Sequence, residues 1–324
     1  MTTRHLLSIT NLGPGELSHL VGQSLAMASR DASASRPLAG KIVGVYFRGT
    51  STRTRTAFTV GAMRLGAQTI SYGPNDLQIA TGETVRDTAR VLSNFLDVLV
   101  IRTNDSPEEM KAFTAQETMA VVNAMSENEH PTQAIADLAT IREAFGRLDG
   151  VHVLYLGEGN NTAAALSHAV ARTPGMRLTM VTPDGYGTPD AVVEEASALA
   201  RQNGGAVEHH HDIDRLPRNV DVVYTTRWQT MGVPKADPDW REKFRPYGVT
   251  AELMARVSKS SDTVFMHDLP AVRGDDVTDE VLDGPQSIAF RQAFHKMTSA
   301  MAVLAWCAAG RGAARVTAAR KQVA

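Results

Sequence analysis

Apolar residues along the chain gather in short runs separated by stretches of helical period. The runs at 41–47, 97–102, 119–124, 151–156, 177–182, 221–226 and 262–267 read as strands. Between them, Phe58, Ala62 and Leu65 recur at i, i+4 and i+7 on one helical face, in a helix that starts near Ser51. Ala134, Leu138, Ile141 and Phe145 mark another helix facing a core, which the turn residues 146–150 close. Strands alternating with helices predict parallel βαβ units. The expected fold is α/β: two doubly wound parallel-sheet domains joined by helices, residues 1–148 and 149–285, with a ligand cleft between them. A last helix in 286–324, rich in Ala and Met, is expected to pack back on the first domain.

Composition narrows the function classes. The 324 residues carry 33 Lys+Arg against 35 Asp+Glu, a net charge of -2, so nothing draws the chain as a whole to nucleic acid or to an anionic membrane. Cys307 is the only cysteine, which excludes an intrachain disulfide and a cysteine-rich metal site. No stretch approaches the roughly 20 apolar residues of a membrane span, and the first residues lack a signal-peptide core, so the expectation is a cytoplasmic protein. His209-His210-His211 invites a metal reading, but adjacent strand residues face opposite sides and no carboxylate or thiol spacing joins them. They are expected to form a solvated strand end, and no metal or cofactor is predicted.

The densest chemistry lies in Phe47-Arg48-Gly49-Thr50-Ser51-Thr52-Arg53-Thr54-Arg55, where a buried strand hands over to a helix. A helix N-terminus presents unpaired N–H groups and the positive end of its dipole. Here Ser51, Thr52 and Thr54 add hydroxyls, and Arg53 and Arg55 add planar forks that match phosphate oxygens. Capping alone requires one hydroxyl, so the cluster predicts a phosphate or carboxylate site. Arg102 ends the strand at 97–102, and His130-Pro131-Thr132-Gln133 opens a helix with Pro131 at its first position. Both belong to the carboxyl edge of the same sheet, where ligands collect.

These motifs, with Met266-His267-Asp268-Leu269-Pro270, closely resemble in order, over most of the chain, the signature set of the aspartate/ornithine carbamoyltransferase family. The resemblance implies a carbamoyl phosphate domain followed by an amino-acid domain. It implies that Ser51, Thr52, Arg53, Thr54 and Arg55 hold the phosphate, that Arg102, His130 and Thr54 donate to the carbamoyl oxygen as the catalytic group, and that Gln133 and the carbonyl of Leu269 take the carbamoyl NH2. Gln78 joins this set from a loop, 77–84, that in the family reaches into a neighbouring subunit, which implies a homotrimer with shared sites. Lys296 stands where the ornithine branch has an arginine and ranks below these.

For the acceptor, the resemblance implies Asn161, Thr226, Arg227, Gln229, Thr230, Met231 and Asp268. Trp228, Met231 and Asn161 look like the ornithine branch, but Thr226 replaces the aspartate that there binds an α-ammonium, and Thr226-Arg227 with Gln229 looks like the aspartate branch. Asp268 replaces the ornithine-branch cysteine. A carboxylate there suits a cationic acceptor and repels a dicarboxylate; its other reading is a partner for Arg273. The reaction implied is carbamoyl transfer from carbamoyl phosphate to an ornithine-like diamino acid. Alternatives are 2,3-diaminopropionate or aspartate as acceptor, or a non-catalytic carbamoyl phosphate binder. The Gly157-Glu158-Gly159-Asn160-Asn161 turn raises a dinucleotide-binding oxidoreductase, but Ala163 follows where a third glycine might help and no ribose-binding acid is evident.

Overall fold

The computed structural model describes residues 3–29, 36–229, 234–259 and 262–309. They divide into two compact units, one running to Ile135 and resuming at Lys296, the other Ala136–His295. The division falls inside two helices, and the turn residues 146–150 lie within the second unit.

The first unit holds a four-stranded parallel sheet in the order β2-β1-β3-β4, from β1 (Ile42–Phe47), β2 (Gln68–Tyr72), β3 (Val98–Arg102) and β4 (Ala120–Met125). Its helices are α1 (Glu16–Ala26), α2 (Arg53–Arg64), α3 (Val85–Leu92), α4 (Pro107–Ala112) and the start of α5 (Pro131–Phe145). Every residue of β3 and β4 is buried, as continuous apolar runs require in a parallel sheet. Tyr46, Leu99, Met110 and Phe113 pack in one cluster there. The outer edge of β4 is covered: Leu6 donates to the Val121 carbonyl at 2.9 Å and its own carbonyl accepts from Asn123 at 2.7 Å.

The second unit holds a five-stranded parallel sheet in the order β7-β6-β5-β8-β9, from β5 (His152–Leu156), β6 (Arg177–Val181), β7 (Ala206–His210), β8 (Val222–Thr225) and β9 (Val264–His267). The remaining helices are α6 (Asn161–Ala171), α7 (Asp190–Gln202), α8 (Trp240–Phe244), α9 (Ala251–Val257), α10 (Asp279–Leu282) and α11 (Ala289–Ala309), which continues into the first unit. All residues of α6 are buried, because a helix rich in alanine lies close to its neighbours. The seven expected strands form. Two edge strands, β2 and β7, are additional: Gln-Thr-Ile-Ser-Tyr and Ala-Val-Glu-His-His carry few apolar residues because edges stay partly solvated. Among the described residues, no helix is long and apolar enough to cross a membrane.

Candidate active site

In the first unit, loops after β1, β3 and β4 converge on one cluster. β1 ends at Phe47, and α2 begins at Arg53, slightly later than expected. Thr52 is the cap residue but makes no side-chain cap bond; Ser51 Oγ instead accepts from the Arg55 N–H at 3.4 Å. The Thr52 hydroxyl is therefore not consumed by N-capping. Arg55 lies over the Phe47 ring, 5.4 Å from its centroid, and donates to the Phe47 carbonyl at 3.4 Å. Its fork is turned onto β1, whereas Ser51 and Arg53 are half-buried at the turn.

Arg102 is 7% exposed at the end of β3, and its guanidinium donates to Thr54 Oγ1 at 3.4 Å. On the far side, Glu129 accepts from the Ile9 N–H at 2.8 Å and its carbonyl from the Ser126 N–H at 2.9 Å, which fixes the loop delivering His130 to α5. His130 Nδ1 lies 3.5 Å from the Thr132 hydroxyl, and Gln133 Oε1 accepts from the Lys296 ammonium. Burial, then the charges of Lys296 and Arg102, hold His130 well below the ordinary histidine range. At neutral pH it is an uncharged imidazole among cations, fit to donate one hydrogen bond. Lys296 thus stands with the core of the cluster. Gln78 begins an exposed 3-10 turn over Gln78–Thr81, where its Oε1 accepts from the Thr81 hydroxyl at 2.6 Å. Neighbouring Ile79 and Ala80 line an open cavity with Tyr46, Arg48 and Gly49.

In the second unit, the ends of β5, β8 and β9 build a different site around Asp268. Its two carboxylate oxygens accept from Thr162 Oγ1 at 3.1 Å and Thr226 Oγ1 at 3.0 Å. Arg273 instead pairs with Asp279 and Asp283, so the alternative reading of Asp268 as its partner does not hold. Buried Asp276 accepts from His267 Nε2 at 2.6 Å, while His267 Nδ1 accepts from the Leu269 N–H at 2.8 Å. The two bonds set the imidazole tautomer and hold Leu269 at a φ of 55°, a left-handed conformation uncommon for a bulky residue. Leu269 thus lies in the second unit, beside Asp268. Asn161 opens α6, capped by Asn160, whose side chain accepts from Thr162 N at 2.9 Å and Ala163 N at 3.3 Å. Arg227 and Gln229 follow Thr226 and are half-buried; Thr230 and Met231 lie outside the described residues.

The glycines of the 157–161 turn answer to packing. Gly157 has a φ of 107° beneath Trp228, and a Cβ on Gly159 would lie 2.0 Å from the Thr188 nitrogen. This accounts for their spacing without a pyrophosphate. The histidine run behaves differently from a plain solvated end: His209 and His211 lie on one side with ring centroids 4.8 Å apart, and both approach Thr182.

Several site residues were not found from sequence. Tyr155 donates to the Glu158 carbonyl at 2.9 Å, and burial followed by the charge of Asp268 keeps its hydroxyl protonated, well above its usual range. Asp137 accepts from Tyr224 at 3.1 Å and from Gln292 at 2.8 Å, and Gln292 in turn accepts from the His267 N–H at 2.8 Å. These partners are far apart in sequence and carry no local motif.

Burial also holds His5, His152, His168, His209, His210 and His295 below the usual histidine value. With His130, they bind protons more readily unfolded than folded, so their contribution is full above about pH 6.5 and is lost as pH falls toward the folded values. The urea midpoint should therefore drop between pH 7.5 and pH 5; a flat or rising midpoint would contradict this.

Residues 4–143 match the family described as aspartate/ornithine carbamoyltransferase, carbamoyl-P binding domain, and residues 149–307 its Asp/Orn binding domain. The chain is 40% identical over 313 residues to an ornithine carbamoyltransferase of Acidothermus cellulolyticus, covering 95% of this chain and 99% of that protein. It is 36% identical over 303 residues to that of Oceanobacillus iheyensis, covering 93% of each. Among solved structures, ornithine carbamoyltransferase from Pyrococcus furiosus superposes with a TM-score of 0.87 at 34% identity, over 94% of this chain and 96% of that one.

Proposed function

The chain belongs to the aspartate/ornithine carbamoyltransferase family, and on that premise we propose that it moves the carbamoyl group of carbamoyl phosphate onto an amine of an ornithine-like diamino acid, releasing phosphate. The observation that carries this reading is the buried cluster of Arg102, Thr54 and uncharged His130. When a neutral amine attacks the carbonyl carbon, the C=O π pair moves to oxygen, and this cluster offers fixed donors for that growing charge. The tetrahedral species collapses by breaking the bond from carbon to the phosphate oxygen. Ser51, Thr52, Arg53 and the α2 N-terminus hold the departing phosphate, with Arg55 supporting the turn from β1. Gln133, oriented by Lys296, meets the carbamoyl NH2. The phosphate, more basic once released, takes the proton the amine gives up.

The acceptor follows from Asp268. A carboxylate braced by hydroxyls attracts an ammonium, so the preferred acceptor keeps one cationic amine while the other reacts; Asn161 and Arg227 suit its carboxylate. We assign residues 1–148 with the last helix to carbamoyl phosphate and 149–285 to the acceptor. A homotrimer in the cytoplasm is the expected form; the mostly exposed 78–84 segment and Met63, Val91 and Phe95, which stay exposed on the first unit, support the association of subunits. Initial rates with ornithine, 2,3-diaminopropionate, putrescine and aspartate test the assignment. Ornithine should react fastest and aspartate negligibly; turnover of aspartate alone would overturn the reading of Asp268.

A further inference from the structure

We propose that Lys235 is a positioning residue for the acceptor half of the site: its ammonium, enclosed by three aromatic rings and paired with Glu158, fixes the glycine turn that opens α6. The inference rests on the carbamoyl-transfer reading and adds the group that holds its acceptor residues in place.

The Lys235 side chain is only 7% exposed, unusual for lysine, and its ammonium pairs with the Glu158 carboxylate. The Tyr186, Phe244 and Trp240 ring centroids lie 4.5, 4.8 and 5.5 Å from the same nitrogen. Aromatic faces attract a cation that has left water, and these three line the ammonium opposite Glu158. The rings brace one another: Phe244 packs edge-on against Tyr186 at 4.9 Å and Trp240 at 5.6 Å, and Trp228 lies against it at 5.5 Å.

This assembly touches the 157–161 turn at successive residues. Trp228 covers Gly157, Lys235 holds the Glu158 side chain, Tyr155 holds the Glu158 carbonyl at 2.9 Å, and the Gly159 N–H donates to the Tyr186 carbonyl at 2.9 Å. The next residues are Asn160, which caps α6, Asn161, and Thr162, which braces Asp268. A turn fixed on both sides gives those residues one arrangement. Without the ammonium, the half-buried Glu158 carboxylate loses the cation it is paired with, and the turn loses one of the ties that hold it.

Lys235→Met in the full chain removes the charge and keeps much of the apolar stem. The acceptor KM should rise about tenfold or more, with kcat and the KM for carbamoyl phosphate little changed, because a loosened turn weakens contacts made equally in the ground state and the transition state. Amide exchange across residues 158–162 should quicken, Glu158→Gln should reproduce both effects without adding to them, and Lys235→Arg should retain most of the wild-type behaviour. A folded Lys235→Met protein with wild-type acceptor KM and turn exchange would overturn the proposal. So would a fall in melting temperature with both KM values raised together and no rescue by arginine, since that describes general loosening. If the wild-type protein carbamoylates none of the amines, the functional reading fails, and turn exchange alone then decides the role of Lys235. Should Lys235→Met not fold, the same measurements on Glu158→Gln decide.

Discussion

Arg102→Leu should lower kcat about a thousandfold while the protein still folds, because removing one donor to a developing oxyanion costs about a hundredfold to a thousandfold and this donor carries a full charge. Arg102 ends β3, and its guanidinium reaches Thr54 across the turn after β1. Its backbone is fixed independently of the side chain, since its carbonyl accepts from the Arg48 N–H at 3.0 Å. Leucine, shorter and apolar, leaves that backbone bond intact, and a circular dichroism spectrum and melting curve check that the variant folds. The loss should fall on kcat and kcat/KM equally, the signature of an interaction made in the transition state. Arg102→Lys restores a point charge without the fork and should recover only part of the rate. A KM effect with kcat nearly unchanged would show that Arg102 binds the ground state and would sink the assignment.

The same substitution should be felt at His130. Burial is the leading cause of its lowered pKa, followed by Lys296 and then Arg102. Removing Arg102 relaxes only the last of these, so the acid limb of the kcat profile should move slightly upward and His130 should stay uncharged at neutral pH.

What the sequence made visible depends on how local each signal is. The turn over 47–55, the Arg102 strand end and the His130 helix start are contiguous runs at strand-to-helix junctions, so their placement in the fold could be read from the sequence. Lys296 ranked low because lysine lacks the fork of the arginine that the resemblance expects there, and its contact with Gln133, 163 residues away, leaves no local mark. Asp276 is a further case: nothing in Arg-Gly-Asp-Asp-Val marks it, yet it orients His267 and binds the Val272 N–H at 2.8 Å. Edge strands escaped because partial exposure erases the apolar run that reveals a buried strand. Asp268 was found by its place in a motif, but only the hydroxyls of Thr162 and Thr226 show what holds it.

That bracing makes Asp268→Asn the sharpest test of acceptor choice. Asparagine keeps the shape, and threonine hydroxyls rotate to donate to its oxygen or accept from its nitrogen, so the change removes charge and little else. The carboxylate is 15% exposed, well removed from water, where an ammonium bound to it is worth more than at an open surface. Hydrogen bonds to charged groups contribute about 1.5–3 kcal/mol, so the KM for a diamino acid should rise about tenfold to a hundredfold. The KM for carbamoyl phosphate should move far less, because the residues assigned to its phosphate lie in the first unit and Leu269, expected to meet its NH2 group, is held by His267 rather than by Asp268. Aspartate, repelled by the native carboxylate, should become a better competitive inhibitor of the variant. His267 supplies an internal control: its Nδ1 is already engaged by the Leu269 N–H and its Nε2 by Asp276, so the turn is held without Asp268. If ornithine KM and aspartate inhibition both stay at wild-type values, the carboxylate serves the fold, and the choice of acceptor lies with Asn161, Arg227 and Gln229.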